Sequence, residues 1–190
     1  MKLKNILSLL LLIGSSAMAQ SLHTNTIDKQ TGIRTITTNN HKGKEIELDD
    51  AISRSGALFF SAGYQQITKK EKTSETYFIE LNIVHNDARL GCLENGKGRV
   101  LITLADETQI DCIQISDNDC DPIGFVAAFA LMPKDGNQEV MKQNFEKLKT
   151  TDILKMEVFT TEKSVLYTIK SKSRPYIKNH FTLIDKTIKQ

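Results

Sequence analysis

The chain has 190 residues, 25 Lys and Arg against 23 Asp and Glu, and 39% apolar residues with no Trp. That length supports one domain with a substantial core, and a net charge of only +2 leaves no electrostatic footprint for nucleic acid. Its three cysteines form no C-x-x-C pair and have no nearby His, which excludes a zinc site of ordinary ligand spacing.

Residues 1–19 read as a secretory signal peptide. Lys2 and Lys4 form a positive n-region, residues 6–13 an apolar stretch, and Ala17-Met18-Ala19 an A-x-A cleavage site. The apolar run is far shorter than the ~20 residues a spanning helix needs. No Cys follows the cut to carry a lipid, and no later run reaches spanning length. The mature chain is therefore expected to start at Gln20 and to be exported, to the periplasm or beyond, with no membrane span. Cleavage removes two lysines and no acid, so 25 bases become 23 against 23 acids and the mature chain is neutral.

Residues 20–30 are polar and are expected as a flexible arm ahead of a single domain at 31–190. A first strand is expected at 31–38, a loop at 39–44, a short strand at 45–48, a stronger one at 56–65 and a charged connection at 67–75. The strand at 76–85 places Phe78 and Val84 on one face and Ile79, Leu81 and Ile83 on the other, so both faces are expected to be at least partly covered. A glycine-bearing loop fills 90–97. In 98–116, Val100, Ile102 and Leu104 alternate with outward residues, a polar tetrad at 105–108 turns the chain, and Ile110, Ile113 and Ile115 return it: a hairpin central to a sheet. Residues 123–132 are apolar on both faces, which suits a buried central strand, with a helix as the competing reading until Pro133.

Asp135 is the expected N-cap of a helix over 138–149 that carries Met141, Phe145 and Leu148 on one face. A second hairpin joins 153–160 to 164–171 through Glu162-Lys163, with Leu154, Met156 and Val158 facing Val165, Tyr167 and Ile169 inward. The last helix starts near Ser173, tolerates Pro175 in its first turn, and stripes Ile177, Phe181, Ile184 and Ile188. The fold class is α+β: a largely antiparallel, mostly meandering sheet of about seven or eight strands with one connecting helix and a C-terminal helix packed on it. A β-sandwich with peripheral helices is the alternative.

A signal peptide, a D-x-x-T-G start at Asp28, Thr31 and Gly32, and the strand–helix–hairpin run from Phe129 through residues 145–149 to 153–160 give the chain a resemblance. Over residues 28–165 it resembles uncharacterised small exported β-rich proteins of Bacteroidota. The resemblance implies a β-rich domain of the export compartment and no particular chemistry.

The residues name no activity. No G-x-S-x-G, S-x-x-K or H-E-x-x-H motif occurs, and Ser53-Arg54-Ser55-Gly56 is an ordinary polar approach to a strand. Gly91, Gly96 and Gly98 do not match phosphate-cradling spacings. His23 and His41 are expected at the surface, His180 half-buried at the edge of the last helix's stripe, and His85 at a strand end where a base could be displayed. Asp117, Asp119 and Asp121 match the first positions of a calcium loop, but Pro122 stands where a sharp turn wants Gly and Ala128 where a bidentate Glu is needed, so a solvated acidic turn is expected.

Among Cys92, Cys112 and Cys120, spacing leaves the pairing open; Cys112–Cys120 across the loop, with Cys92 as a buried thiol, is the expected arrangement. No Lys or Arg lies between Val100 and Pro133, which hold six acids, whereas 163–190 holds seven bases against Asp185. Both stretches are read as solvated faces that oppose one another in the fold, or else as a face that steers a charged partner. No catalytic, cofactor or metal residue is assigned. The function best matched is an exported non-catalytic binding domain with an envelope or extracellular protein partner. A hydrolytic enzyme built from dispersed residues such as His85 and 117–121 is one alternative, and a calcium-stabilised structural module is another.

Overall fold

A computed structural model of the chain describes residues 20–40, 57–69 and 71–190. The expected signal peptide, the short strand at 45–48, His41 and Ser53-Arg54-Ser55-Gly56 lie outside the described residues. Among the described residues there are nine strands: β1 (Leu22–Ile27), β2 (Arg34–Thr38), β3 (Ala57–Lys69), β4 (Lys72–Val84), β5 (Arg99–Leu104), β6 (Gln109–Gln114), β7 (Gly124–Ala130), β8 (Ile153–Phe159) and β9 (Ser164–Thr168). The helices are α1 (Gln138–Thr150) and α2 (Arg174–Ile188). All nine strands form one sheet in the order β1-β2-β3-β4-β7-β6-β5-β8-β9, so the sandwich alternative does not hold. Every pair is antiparallel, and the meander breaks twice, where β4 pairs with β7 and where β5 pairs with β8.

The sheet curls into a half-barrel. Its inner face follows the period-2 alternation: Phe60, Tyr64, Ile79, Leu81, Val100, Ile102, Phe125, Phe129, Met156 and Val158 are all buried there. The helix α2 lies against β2 and β3 on one side and β8 on the other, and α1 against β4. Its stripe of Ile177, Phe181 and Ile184 is fully buried, with Phe181 edge-on to Phe60 and Phe145.

Several expectations change at their edges for identifiable reasons. The stretch expected as a flexible arm carries β1, a polar edge strand whose ladder with β2 turns at Asp28–Gly32; there the Asp28 carboxylate accepts from the Gln30 and Thr31 amides and Gly32 takes a positive φ of 69°. The D-x-x-T-G signature is thus a hairpin turn. The charged connection expected at 67–75 is the outer end of a β3–β4 ladder that runs unbroken to Lys69↔Lys72. The cap of α1 is Asn137, whose side chain accepts from the Val140 amide, and not Asp135.

The disulfide also differs. Cys92 pairs with Cys120, 28 residues apart, and Cys112 is the buried free thiol. Cys112 sits on the inward face of β6 opposite Val100, so its side chain points into the core and away from the loop that carries Cys120. An isolated bridge between Leu93 and Asp119 runs beside the disulfide, tying loop 91–98 to loop 115–123.

Candidate interaction face

An antiparallel sheet packed on one side normally turns polar residues outward. This one does so with Ser61, Glu80, Asn82, Asp111 and Glu157, but mixes apolar side chains among them. The strand registers align one lateral row on the outer face across the whole sheet: Thr24, Thr37, Gly63, Phe78, Ala130, Ile113, Arg99, Phe159 and Ser164. The Phe78 ring lies so close over Gly63 that a Cβ there would stand 2.1 Å from it, and the Arg99 guanidinium sits 4.1 Å over the Phe159 ring.

Beyond this row, where β4 ends and β7 begins, the outer face has an apolar centre, interrupted by Asn82 opposite Val126. Val84 pairs with Gly124 and Asn82 with Val126, which makes Val84 and Val126 diagonal neighbours on that face. The Ile115 amide donates to the Ala128 carbonyl, placing Ile115 diagonal to Val126 from the other side. Val84, Ile115 and Val126 are 40%, 42% and 54% exposed, so β7, expected to be buried on both faces, is open here, while further along Phe78 is half-buried and Ala130 buried, as the partial cover expected for β4 requires. Gly124 is required here: a Cβ would approach the Ile83 carbonyl oxygen to 2.5 Å.

The rim is acidic. Asp117 and Asp121 are exposed on the loop that enters β7, and Glu80 pairs with Ala128 at the edge of the apolar centre. Among the described residues, no salt bridge joins an acid of 106–121 to a base of 163–190; Lys178 pairs instead with Asp152, Lys189 with Asp185 and Lys163 with Asp87.

The 117–121 carboxylates hold the loop in shape. Asp119 accepts from the Asp121 and Val126 amides and Asp121 from the Ile123 amide. Among the described residues no group of three or more His, Cys, Asp or Glu is placed to hold a metal ion. No helix among them is long and apolar enough to cross a membrane.

His85 ends β4 beside this rim. Its ring is buried against Phe125 with centroids 4.5 Å apart, its Nδ1 accepts from the Asp87 amide at 3.2 Å, and its Nε2 is buried without a hydrogen-bond partner. Burial holds its pKa below the usual 6.5, while Asp87, Asp121 and Asp119 pull the other way. Asp87 itself is brought down to about 2 by the Arg89 guanidinium, which grips both carboxylate oxygens. The structure does bring His85 near the 117–121 acids, yet it buries the ring instead of displaying a base.

No protein-family model, curated protein or solved structure matches the chain. What the face can do rests on its own geometry.

The remaining histidines separate clearly. His23 is exposed on β1, where it joins Thr24, Thr37, Asn39, Ser61 and Glu80 around a polar cleft of about 380 Å³. His180 is fully buried, where a half-buried edge position was expected. Its Nδ1 shares a 2.6 Å hydrogen bond with the Thr38 hydroxyl, which also accepts from the Ala62 amide and stands 3.2 Å from the Ala62 carbonyl. That knot fastens α2 to β2 and β3. The signal was present in the sequence: Tyr176, His180 and Ile184 recur every four residues, on the buried side of the helix.

Proposed function

We propose that this chain is an exported, non-catalytic binding domain that docks a polypeptide on the outer face of its sheet. Support comes from one observation above the others: Val84, Ile115 and Val126 are diagonal neighbours that form an exposed, outward-facing apolar cluster on a sheet whose inner face already buries a full core. Contiguous apolar surface rimmed by polar groups is the mark of an interaction site. The carboxylates of Glu80, Asp117 and Asp121 at its edge select a partner with an apolar centre bordered by Lys and Arg. Export rests on the signal-peptide pattern of residues 1–19 and the resemblance to small exported Bacteroidota proteins. A surface disulfide suits an oxidising compartment.

The test is photo-crosslinking in producing cells with benzoylphenylalanine placed singly at Val126, Ile115 or, as a control, Lys142 on α1. The expected result is one adduct from Val126 and Ile115 and none from Lys142. Mass spectrometry should identify a protein with a basic border around the crosslinked site. Reversing the rim with Asp117→Lys and Asp121→Lys should cut the adduct yield at least about tenfold, the effect of opposing several like charges. Identical adducts from all three positions, no adduct at all, or an acidic partner site would overturn the reading.

A further inference from the structure

We propose that His85 is a proton-operated latch on the docking face, neutral when the face is set and protonated when its edge is released. The latch rests on the docking reading above for its purpose, but not for its mechanism. An Nδ1 that accepts the Asp87 amide carries no proton of its own, so the ring is the neutral tautomer with hydrogen on Nε2. Protonation places an N–H on Nδ1, and two donors then face each other across 3.2 Å. The Asp87 amide must leave.

The consequences run to both sides of the ring. Downstream, Asp87 caps the short 3-10 turn at Ala88–Leu90, whose Leu90 side chain is buried and whose carbonyl accepts the Thr160 hydroxyl. Upstream, the His85 amide donates to the Ile123 carbonyl at 2.6 Å, and Val84 precedes it on β4. Val84 is one of the three apolar side chains of the docking face, and Ile123 leads through Gly124 into the strand that carries Val126, so movement of His85 reaches that face through the backbone.

The charges around the ring come from every element packed on it. Asp87 and Arg89 lie on its own turn, Asp119 and Asp121 on the loop entering β7, and Lys163 reaches Asp87 from the β8–β9 turn at 3.9 Å. Phe125 of β7 contributes an uncharged ring face. Burial and the Asp87 amide keep the proton out at neutral pH, while the field of the three carboxylates favours the charged ring.

The experiment is a pH titration of the full mature chain by NMR, without any partner, following the His85 ring nitrogens and the backbone amides of Val84, Asp87, Leu90, Ile123 and Val126. The expected result is one midpoint below pH 6.5 shared by the ring and by the Val84, Asp87 and Ile123 amides, with Asp87 and Leu90 exchange protection falling about tenfold across it. His85→Asn keeps a carbonyl acceptor in place of Nδ1 but cannot be protonated, and should hold all five amides steady. A ring that stays neutral down to pH 4.5 overturns the latch. So does a ring that titrates while Val84 and Ile123 stay fixed, because control of the face is then lost. Failure of the Val126 crosslink at pH 7 strikes the docking reading alone and leaves these shifts as they are.

Discussion

Replacing both halves of the Cys92–Cys120 disulfide is the most quantitative test of how the outer loops are held. The bond closes a loop with a sequence separation of 28. Chain-entropy arguments assign a loop of that size about 3.5 kcal/mol of stabilisation, chiefly by restricting the unfolded chain. A bond between Cys112 and Cys120 would close a much shorter loop, worth about 2.5 kcal/mol on the same footing. The Cys92→Ser/Cys120→Ser chain should therefore unfold with a free energy lower by about 3.5 kcal/mol, a midpoint shift of about 1.5–2 M urea for a typical slope in a domain of this size. Circular dichroism is the suitable probe, since the chain lacks Trp. Proteolytic mapping under non-reducing conditions should give a single crosslinked peptide pair containing Cys92 and Cys120. A loss below about 1 kcal/mol would refute the entropic argument, since it falls well outside the range for a loop of this length. A mapped bond to Cys112 would refute the placement of that thiol in the core.

Thr38→Val removes the hydroxyl shared by His180 and Ala62 while keeping the shape, and should cost about 1–3 kcal/mol because buried polar atoms lose their partner; Thr38→Ser should recover most of it in the same urea titration. Gly63→Val drives two methyls into the Phe78 ring and should destabilise by about 1–3 kcal/mol, a loss that the added change Phe78→Ala should partly relieve. Because burial lowers the His85 pKa, the unfolded chain takes up a proton that the native chain refuses as pH falls below 6.5. Stability from His85 is thus complete above that pH and is lost below it, down to the native pKa. Thermal unfolding should show wild type losing Tm relative to His85→Asn between pH 6.5 and 4.5, and an unchanged gap would contradict the burial.

Elements whose apolar period meets the core were legible from residues alone: the 98–116 hairpin, α1, the β8–β9 hairpin and α2 stand where their patterns put them. The expected return strand of Ile110, Ile113 and Ile115 turned out to bury Ile110, Cys112 and Gln114 instead, because a Gln filling the space against Gly98 replaces the apolar residue that a period search looks for. Strands that leave the core lose their signature. Thr68 and Lys69 are exposed, yet they pair with Thr73 and Lys72, since ladder hydrogen bonds need no apolar side chains. β1 is held the same way.

The candidate face was half legible. Residues 76–85 and 123–132 showed apolar side chains on both faces, and burial was the natural inference. Which face a neighbouring layer covers depends on where α1 and α2 come to rest, a long-range outcome that no local window contains. The disulfide is equally global: Cys112 and Cys120 are close in sequence but belong to opposite sides of the sheet and its loop.

The placement of α2 bears on the order in which the fold closes. The helix caps the helix-facing core of the half-barrel, and its buried stripe runs from Tyr176 to Thr187. Strands β2, β3 and β8 obtain their shared contact only when that helix is present. Because β2 and β3 stand far before it in sequence, their inner face stays open until the helix docks, and the core closes in one late, long-range step instead of hairpin by hairpin.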